Sequence, residues 1–527
     1  MKAKLRFLIV AILVLGIFFR FLNIDKKIYW FDETFTSFRI AGYTETEAIA
    51  QLSEQKVIGI EDLQKYQRLN PSKTVVDTIK GLALEEPQLP PLYFVLTRFW
   101  VQMWGSTPTV TRSFSALISL LAFPCLYWLC RELFEPPLVA WVAIAIVAVS
   151  PFHILYAQEA RPYSLWIVTI LLSSASLLRA MRLKTRGNWT LYAITTALGL
   201  YTHLFSGLVV IAHAIYLVAT AGFRFTKDVA NFLIASFAAI LTFSPWVVLF
   251  LINLRSAAST TSWQSERLRE PILSKLVALA ASFSRTYIDF GFNSSTRVIY
   301  LIPLAPAILI LFSILAYSIY FLCRHTRKEV WLFILSLMCV NAITLILPDL
   351  ILGGNRSAHS RYLLPWHLGN QLALSYLIAT QITTPFVKVW RQKFWQIIAI
   401  ALLSVGIISC AISASAEAWW SKGLNDSNRP VANIINTTSR PLVLSELSRY
   451  PLFNLISVSH ILDSKVKFLI VKPTVPIIPD GFSDVFVYVT SKSLLRRKLA
   501  ESPDYKIEPV YKDENQDETW LWKLEKI

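Results

Sequence analysis

Three short runs in this chain of 527 residues set acids, guanidiniums and imidazoles against long apolar stretches. The first is Asp32-Glu33, within Tyr29-Trp30-Phe31-Asp32-Glu33-Thr34. The second is Tyr156-Ala157-Gln158-Glu159-Ala160-Arg161-Pro162-Tyr163, and the third runs from Asn355 through Arg356, His359 and Arg361 to Tyr362. Tyr201-Thr202-His203 adds another imidazole. Adjacent carboxylates behind three aromatics at a bilayer surface are costly to desolvate, and charges this close to hydrocarbon are paired or functional. A carboxylate can take the proton from an attacking hydroxyl. Arg161, Arg356 and Arg361 can clamp a phosphate, whose oxygens suit a guanidinium fork. A cation, protein-borne or metal, can neutralise charge building on a leaving phosphate. Phosphate leaves well, so no dedicated general acid is required. These groups suit a displacement on a lipid phosphate.

The elements that must position them are membrane helices. With 54% hydrophobic and 16% charged residues, the chain is too apolar for a soluble protein of this length. Runs long enough to cross a ~30 Å hydrocarbon core fall at 6–22, 110–131, 138–156, 163–182, 189–203, 205–222, 229–252, 298–322, 330–348, 363–384 and 394–414. The expected architecture is thus mostly α and polytopic, with about eleven transmembrane helices. The net charge of +17 is placed by topology. Lys2, Lys4 and Arg6 precede the first run, and Arg131, Arg179–Arg186, Arg224–Lys227, Arg324–Lys328 and Lys388–Lys393 follow alternate later ones. If the spans alternate, all these clusters share one side, which puts the N-terminus in the cytoplasm and the C-terminal region outside. The charge is therefore no nucleic-acid footprint. Arg20-Phe21-Leu22-Asn23-Ile24 offers no small-x-small cleavage site, so the first run reads as retained. The five cysteines all fall within or beside the spans and imply no disulfide framework outside.

This topology places the long loops on the outer face. Loop 23–109 carries Asp32-Glu33, with helical apolar spacing over Glu45 to Gln55 and Thr74 to Leu84 that suits surface-lying helices. The apolar segment Leu92 to Trp104, begun by Pro90-Pro91, is too short to cross and reads as interfacial. Loop 254–296 is rich in Ser and Arg, and Gly353-Gly354 breaks the chain before Arg356. Beyond residue 414, strands are expected at Pro441–Leu444, Val466–Val471 and Val485–Val489, with helices between them and closing strands at Ile507–Tyr511 and Trp520–Leu524. The division is a membrane domain over 1–414, containing loop 23–109, and a small extracytoplasmic α/β domain over 415–527. No Gly-rich phosphate loop follows any of these strands.

The aromatic-Asp-Glu run, Pro90-Pro91-Leu92-Tyr93, Gln158-Glu159-Ala160-Arg161-Pro162-Tyr163 and Arg361-Tyr362-Leu363-Leu364-Pro365, in that order, resemble the integral-membrane GT-C glycosyltransferases. The likeness covers most of 1–385. Its nearest branch is the bacterial RgtA/B/C/D-like group, related to protein O-mannosyltransferases and lipid A aminoarabinose transferases. The resemblance implies a polyprenyl-phosphate-linked sugar donor, transfer to a glycan, lipid or protein acceptor on the outer face of the plasma membrane, and inversion at the anomeric carbon. It matches Asp32 to the family's essential aspartate, Glu159 to its second acidic motif and Arg161 to that motif's partner. The family often has His before Pro-Pro-Leu-Tyr, where this chain has Leu89 with Glu85 and Glu86 upstream.

The expected catalytic residues are Asp32 as base, with Glu33 and Glu159 orienting the acceptor or holding a cation. Arg161, Arg356 and Arg361 are candidates for the donor phosphate, and Tyr93, Tyr163, His203 and Tyr362 for the substrate pocket. A divalent metal, Mg or Mn, would fall to Asp32 and Glu159. Structural readings compete at each position. Asp32-Glu33 also suits the first turn of a helix, Glu159 and Arg161 an ion pair at a helix start, and Arg356 and Arg361 snorkelling to headgroups. Two other functions compete as well. A transporter or flippase of lipid-linked sugars would carry ionisable groups at mid-membrane and broken helices in paired halves. A non-catalytic assembly subunit would tolerate Asp32→Asn. The charge-poor spans and one-sided acids favour the enzyme.

Overall fold

Helices occupy the apolar runs, and one mixed sheet follows them. The computed structural model describes residues 3–53, 56–264, 272–292, 296, 299, 302–383, 389–420, 422, 425–513 and 518–527. Lys2, Lys388, much of the Ser- and Arg-rich loop and the edges of the eighth and tenth expected spans lie outside them. Among the described residues six helices are long and apolar enough to cross a membrane: Pro108–Leu133, which comprises two consecutive helical segments, Tyr163–Leu183, Lys227–Ile252, Ile302–His325, Lys328–Ile351 and Val389–Ser415. The pair Pro137–Ala148 and Pro151–Ala157, bent by 65°, makes a seventh if it counts as one span. Helices also stand at the other expected positions, for physical reasons short of that standard. Ala3–Phe21 carries Lys4, Arg6 and Arg20. Arg186–Thr202 and Ser206–Thr220 have 17 and 15 residues. Leu364–Thr383 buries His367, Asn370, Gln371 and Gln381. Leu92–Trp104 is a 13-residue helix whose buried face includes Tyr93, Phe94 and Arg98.

The bend between Ala148 and Pro151 sets the site, because the loop 158–162 hangs from its second arm. A helix end leaves carbonyls unpaired, and Arg20 takes those at this break. Its Nη1 donates to Ala148 O at 2.9 Å and Gly16 O at 2.7 Å, its Nη2 to Val147 O at 3.3 Å, and its Nε to Ser119 Oγ at 3.1 Å. A buried cation with no carboxylate thus sits at a helix C-terminus, where the helix dipole favours it. Two glycines let neighbouring helices approach closely. A Cβ on Gly16 would lie 2.4 Å from Ala148 O, and one on Gly406 2.6 Å from Val149 O.

The sheet has strands β1 (Val57–Ile58), β2 (Pro441–Glu446), β3 (Lys467–Val471), β4 (Asp484–Tyr488), β5 (Tyr505–Asp513) and β6 (Glu518–Lys526), in the order β1-β3-β2-β4-β6-β5. β2 runs parallel to β3 and β4; β1 is antiparallel to β3, and β6 is antiparallel to β4 and β5. Apolar β2, β3 and β4 make the buried centre, as continuous Val-, Ile- and Leu-rich runs do. One feature was not expected from sequence: β1 comes from the first loop and pairs Val57 with Leu469. The same loop supplies Phe35, Phe38, Tyr43 and Tyr66 to a core shared with Val443, Phe453, Phe468 and Tyr488. Phe35 stacks on Phe453 with centroids 3.8 Å apart. Loop 23–109 therefore packs as part of the sheet layer.

Candidate functional site

Asp32 and Glu33 begin the helix Phe31–Ala41, which Gly42 ends at φ +90. Adjacent helical residues point about 100° apart, and the two acids have separate surroundings. Glu33 is fully buried. Arg112 grips it through Nε–Oε1 at 2.8 Å and Nη2–Oε2 at 2.6 Å, while the Ala160 and Trp30 amides donate to it at 2.9 and 3.0 Å. Arg112 spends its remaining donors on the carbonyls of Ile24, Lys27 and Ile28, each at 2.9 Å. Glu33 thereby locks the first loop to the helix Pro108–Leu120 and to the loop 158–162. Burial pulls its carboxyl up, but Arg112 outweighs that and holds it below the ordinary carboxylate range.

Asp32 instead faces a cavity of about 840 Å³. Its side chain is 23% exposed. Arg361 Nη1 donates to its Oδ2 at 3.1 Å, and Arg161 Nη2 lies 3.9 Å from the same oxygen. Arg161 Nη1 also reaches Asp32 O and Thr36 Oγ1, both at 3.3 Å. Burial raises the Asp32 carboxyl, and Arg161 and then Arg361 more than offset it, so the group sits below its ordinary value.

Arg161 is held by the turn between the bent helix pair and Tyr163–Leu183. Gln158 Nε2 donates to Phe19 O and Leu22 O at 2.9 Å each, and Ala160 is fixed by Glu33. Glu159, fully buried, turns to Lys422, whose Nζ lies 2.8 Å from Oε2. At that distance the two make a charge-assisted contact, and among the described residues it is the one polar contact of either side chain. Burial raises the Glu159 carboxyl and lowers the Lys422 ammonium, both toward neutrality.

Arg361 comes from two short 3-10 turns, Arg356–Ala358 and Ser360–Leu363. Gly353 and Gly354, at φ +85 and +124, reverse the chain before them. Asp349 anchors the first turn by accepting from the Ser357 amide at 2.6 Å, and Arg356 Nη1 lies 3.4 Å from it. The Arg361 guanidinium sits among the rings of Tyr362, Trp30, Tyr163 and Trp263, at 5.2 to 6.0 Å from each centroid. Such faces favour a cation. The Nε atoms of both Arg161 and Arg361 lack a partner among the described residues. Burial and the adjacent Arg361 lower the pKa of His359, which keeps its ring neutral.

Of the expected residues, Asp32, Arg161, Arg361, Tyr163, His203 and Tyr362 line the cavity together. His203 stacks on Trp166 with centroids 4.1 Å apart. Glu33, Glu159, Arg356 and Tyr93 are outside its lining; Tyr93 is buried with its hydroxyl 2.7 Å from Ser115 Oγ. Among the described residues no three His, Cys, Asp or Glu side chains converge as a metal site would require. Asp32 and Glu159 each face protein cations instead, so these residues do not fit a divalent ion.

Several residues at the site went unnoticed in the sequence. Arg112 had a signal, a charge inside an expected span. Lys422 follows the last span behind Trp419-Trp420, a weak one. Arg449 and Tyr450, from the helix Arg449–Ser459, also line the cavity, and nothing in the sequence places them there. Arg449 reaches Glu86 at 3.2 Å and Glu45 at 3.3 Å, and both acids also pair with buried Arg39, at 2.8 and 3.1 Å. Arg39 binds Glu85 as well.

Residues 88–249 match the family model described as dolichyl-phosphate-mannose-protein mannosyltransferase, a stretch that includes Glu159 and Arg161. No curated protein matches the chain. Among solved structures, the Archaeoglobus fulgidus oligosaccharyltransferase AglB, in complex with an inhibitory peptide and a dolichol-phosphate, superposes with a TM-score of 0.50 at 12% identity. The match covers 87% of this chain and 64% of that one, so the chain spans less than two thirds of AglB's length. ArnT from Cupriavidus metallidurans bound to undecaprenyl phosphate aligns over 99% of this chain and 98% of its own, with a TM-score of 0.48 and 12% identity. Residues 88–249, which carry the Glu159–Arg161 loop, are thus similar to the dolichyl-phosphate-mannose-protein mannosyltransferase family, and the chain shares its fold with AglB.

Proposed function

We propose that the protein transfers a sugar from a polyprenyl-phosphate carrier to an acceptor hydroxyl, with inversion, on the outer face of the plasma membrane. The observation that carries this reading is Asp32, held between Arg161 and Arg361 on the wall of the large cavity. The matching family model is named for a dolichyl-phosphate-linked sugar, and AglB was solved with a dolichol-phosphate. The positive-inside pattern supports the outer face.

In the proposed reaction the acceptor oxygen attacks the anomeric carbon as its proton passes to Asp32. The bond from that carbon to the phosphate oxygen breaks, and the phosphate leaves with the electron pair. Arg161 and Arg361, which both line the cavity, take up the growing negative charge. The Glu33-locked loop and the 353–363 turns place both arginines at the cavity wall beside Asp32. As they turn to the phosphate, Asp32 loses part of its ion pairing and becomes a stronger base. Glu33 acts here as the brace that positions Asp32 and Arg161, and Glu159 as the partner of Lys422. The divalent-metal expectation is not carried forward, because its two ligands are paired with cations. The sugar and the acceptor are left open as classes. The test is single-turnover transfer from a radiolabelled polyprenyl-phosphate sugar by purified protein. Asp32→Asn should lose release of the label, and release at the wild-type rate would refute the role of Asp32.

A further inference from the structure

Two ion pairs lie side by side in this site and are built differently. Glu33 and Arg112 satisfy each other in full, with four hydrogen bonds on the carboxylate and three backbone carbonyls on the guanidinium. The Lys422 and Glu159 side chains are 8% and 0% exposed, and among the described residues their one polar contact is the 2.8 Å approach to each other. A buried pair this poorly satisfied is a weak source of stability. Unlike Glu159, Lys422 lines the cavity. Its Nζ lies 4.2 Å from the centroid of Trp30, and the Arg361 guanidinium lies 5.4 Å from the same centroid. The two cations are therefore no more than about 10 Å apart, within an ångström or two of what one phosphate bridges with a hydrogen bond at each end. Within ion-pair distance, Arg161 and Arg361 contact Asp32 and Lys422 contacts Glu159; counting Glu86, Asp289, Arg285 and Arg449, which also line the cavity, cations still outnumber acids around it. A phosphodiester monoanion, the charged group of a polyprenyl-phosphate sugar, complements this excess.

We infer that Lys422 is a third ligand of the donor phosphate and that Glu159 is its positioning residue. This rests on the proposed lipid-phosphate donor. The Glu33-anchored Ala160 amide fixes Glu159, Glu159 fixes Lys422, and the Trp30 and Trp419 rings hold the ammonium at the cavity wall. Because Nζ is covered by the Trp30 and Trp419 rings, donor binding shifts the lysine or a ring so that Nζ donates to a phosphate oxygen.

The test is equilibrium binding of undecaprenyl phosphate to the purified full-length protein in nanodiscs, with uncharged undecaprenol as control. Lys422→Met should weaken undecaprenyl phosphate binding tenfold or more and leave undecaprenol binding unchanged. Lys422→Arg keeps the charge and should bind undecaprenyl phosphate more tightly than Lys422→Met. The double variant Glu159→Gln/Lys422→Met removes both buried charges and guards against misfolding. It should bind undecaprenyl phosphate as weakly as Lys422→Met, whereas a purely structural role for the lysine predicts recovery. Wild-type affinity in Lys422→Met, or recovery in the double variant, overturns the inference and leaves the donor reading standing. A wild-type protein that prefers undecaprenol, or binds neither, overturns both.

Discussion

Asp32 and Glu33 should respond oppositely to removal of their carboxylates. Glu33→Ala strands the Arg112 guanidinium, 1% exposed, with no counter-charge, and leaves the Trp30 and Ala160 amides without an acceptor. Breaking a buried ion pair by losing one partner costs about 3–5 kcal/mol. Each stranded amide adds about 1 kcal/mol or more unless water reaches it. A loss of roughly 5 kcal/mol is a large share of the stability of an ordinary domain. Asp32→Asn keeps the shape of a side chain at a cavity wall, and its amide oxygen can still accept from Arg361, so it should cost less stability than Glu33→Ala. Its cost should fall on the reaction, about 10²- to 10⁴-fold in rate for a lost general base. Thermal melts of detergent-solubilised variants, paired with single-turnover transfer, separate the two effects. If Glu33→Ala melts with the wild type, or Asp32→Asn is destabilised as strongly, the division of labour between the neighbours is wrong.

Three further outcomes follow from the same geometry. Arg161 and Arg361 hold the Asp32 carboxyl below its ordinary value, so the base should stay ionised through neutral pH and lose activity only as pH falls through that depressed value. Arg361→Met should move the acid limb of the kcat/KM profile to higher pH, and an unmoved limb would refute the coupling. Any stability that Asp32 contributes through these pairs has the same sign, present above its unfolded pKa and lost with acid. Gly406→Ala should push a methyl into the Val149 carbonyl, 2.6 Å from the ideal Cβ, and lower the melting temperature, whereas Gly187→Ala, which meets nothing within 4 Å, should not. Arg20→Met should free the carbonyls of Val147 and Ala148 and lower both melting temperature and transfer rate, because the bend carries the Arg161 loop. Wild-type values for both would show that the bend does not depend on the clamp.

The helices were legible because hydrophobic length is a strong signal, and β2, β3 and β4 because a buried run of β-branched residues leaves few other options. The two-residue β1 was not, since Val57-Ile58 is too short to stand out and is a strand only because β3 offers an edge. Asp32, Arg161 and Arg361 were legible as charges beside apolar runs. Their meeting was not, since Arg361 approaches Asp32 across more than three hundred residues and only packing brings the two together. Tyr93 misled because a conspicuous Pro-Pro-Leu-Tyr motif proves to be helix-start packing, with its hydroxyl spent on Ser115. Arg356 stood five residues from Arg361, but Asp349 holds it outside the cavity lining.

Charge alone does not separate brace from chemistry here; saturation together with a place in the cavity lining does. Arg112 and Arg39 are buried arginines whose donors are shared among carboxylates and carbonyls, and each ties the first loop to another part of the protein or to itself. Arg161 and Arg361 are nearly as buried, yet each keeps an Nε without a partner among the described residues, and the Lys422 ammonium has there a single contact, Glu159. Unspent buried donors carry a desolvation cost that nothing in the protein repays. All three side chains border one cavity and surround one carboxylate, Asp32. An arriving anion would satisfy them at once and loosen their hold on that carboxylate, which couples occupancy of the site to the strength of its base. A fully satisfied cluster could not do this, because any new ligand would first have to break hydrogen bonds as good as those it forms.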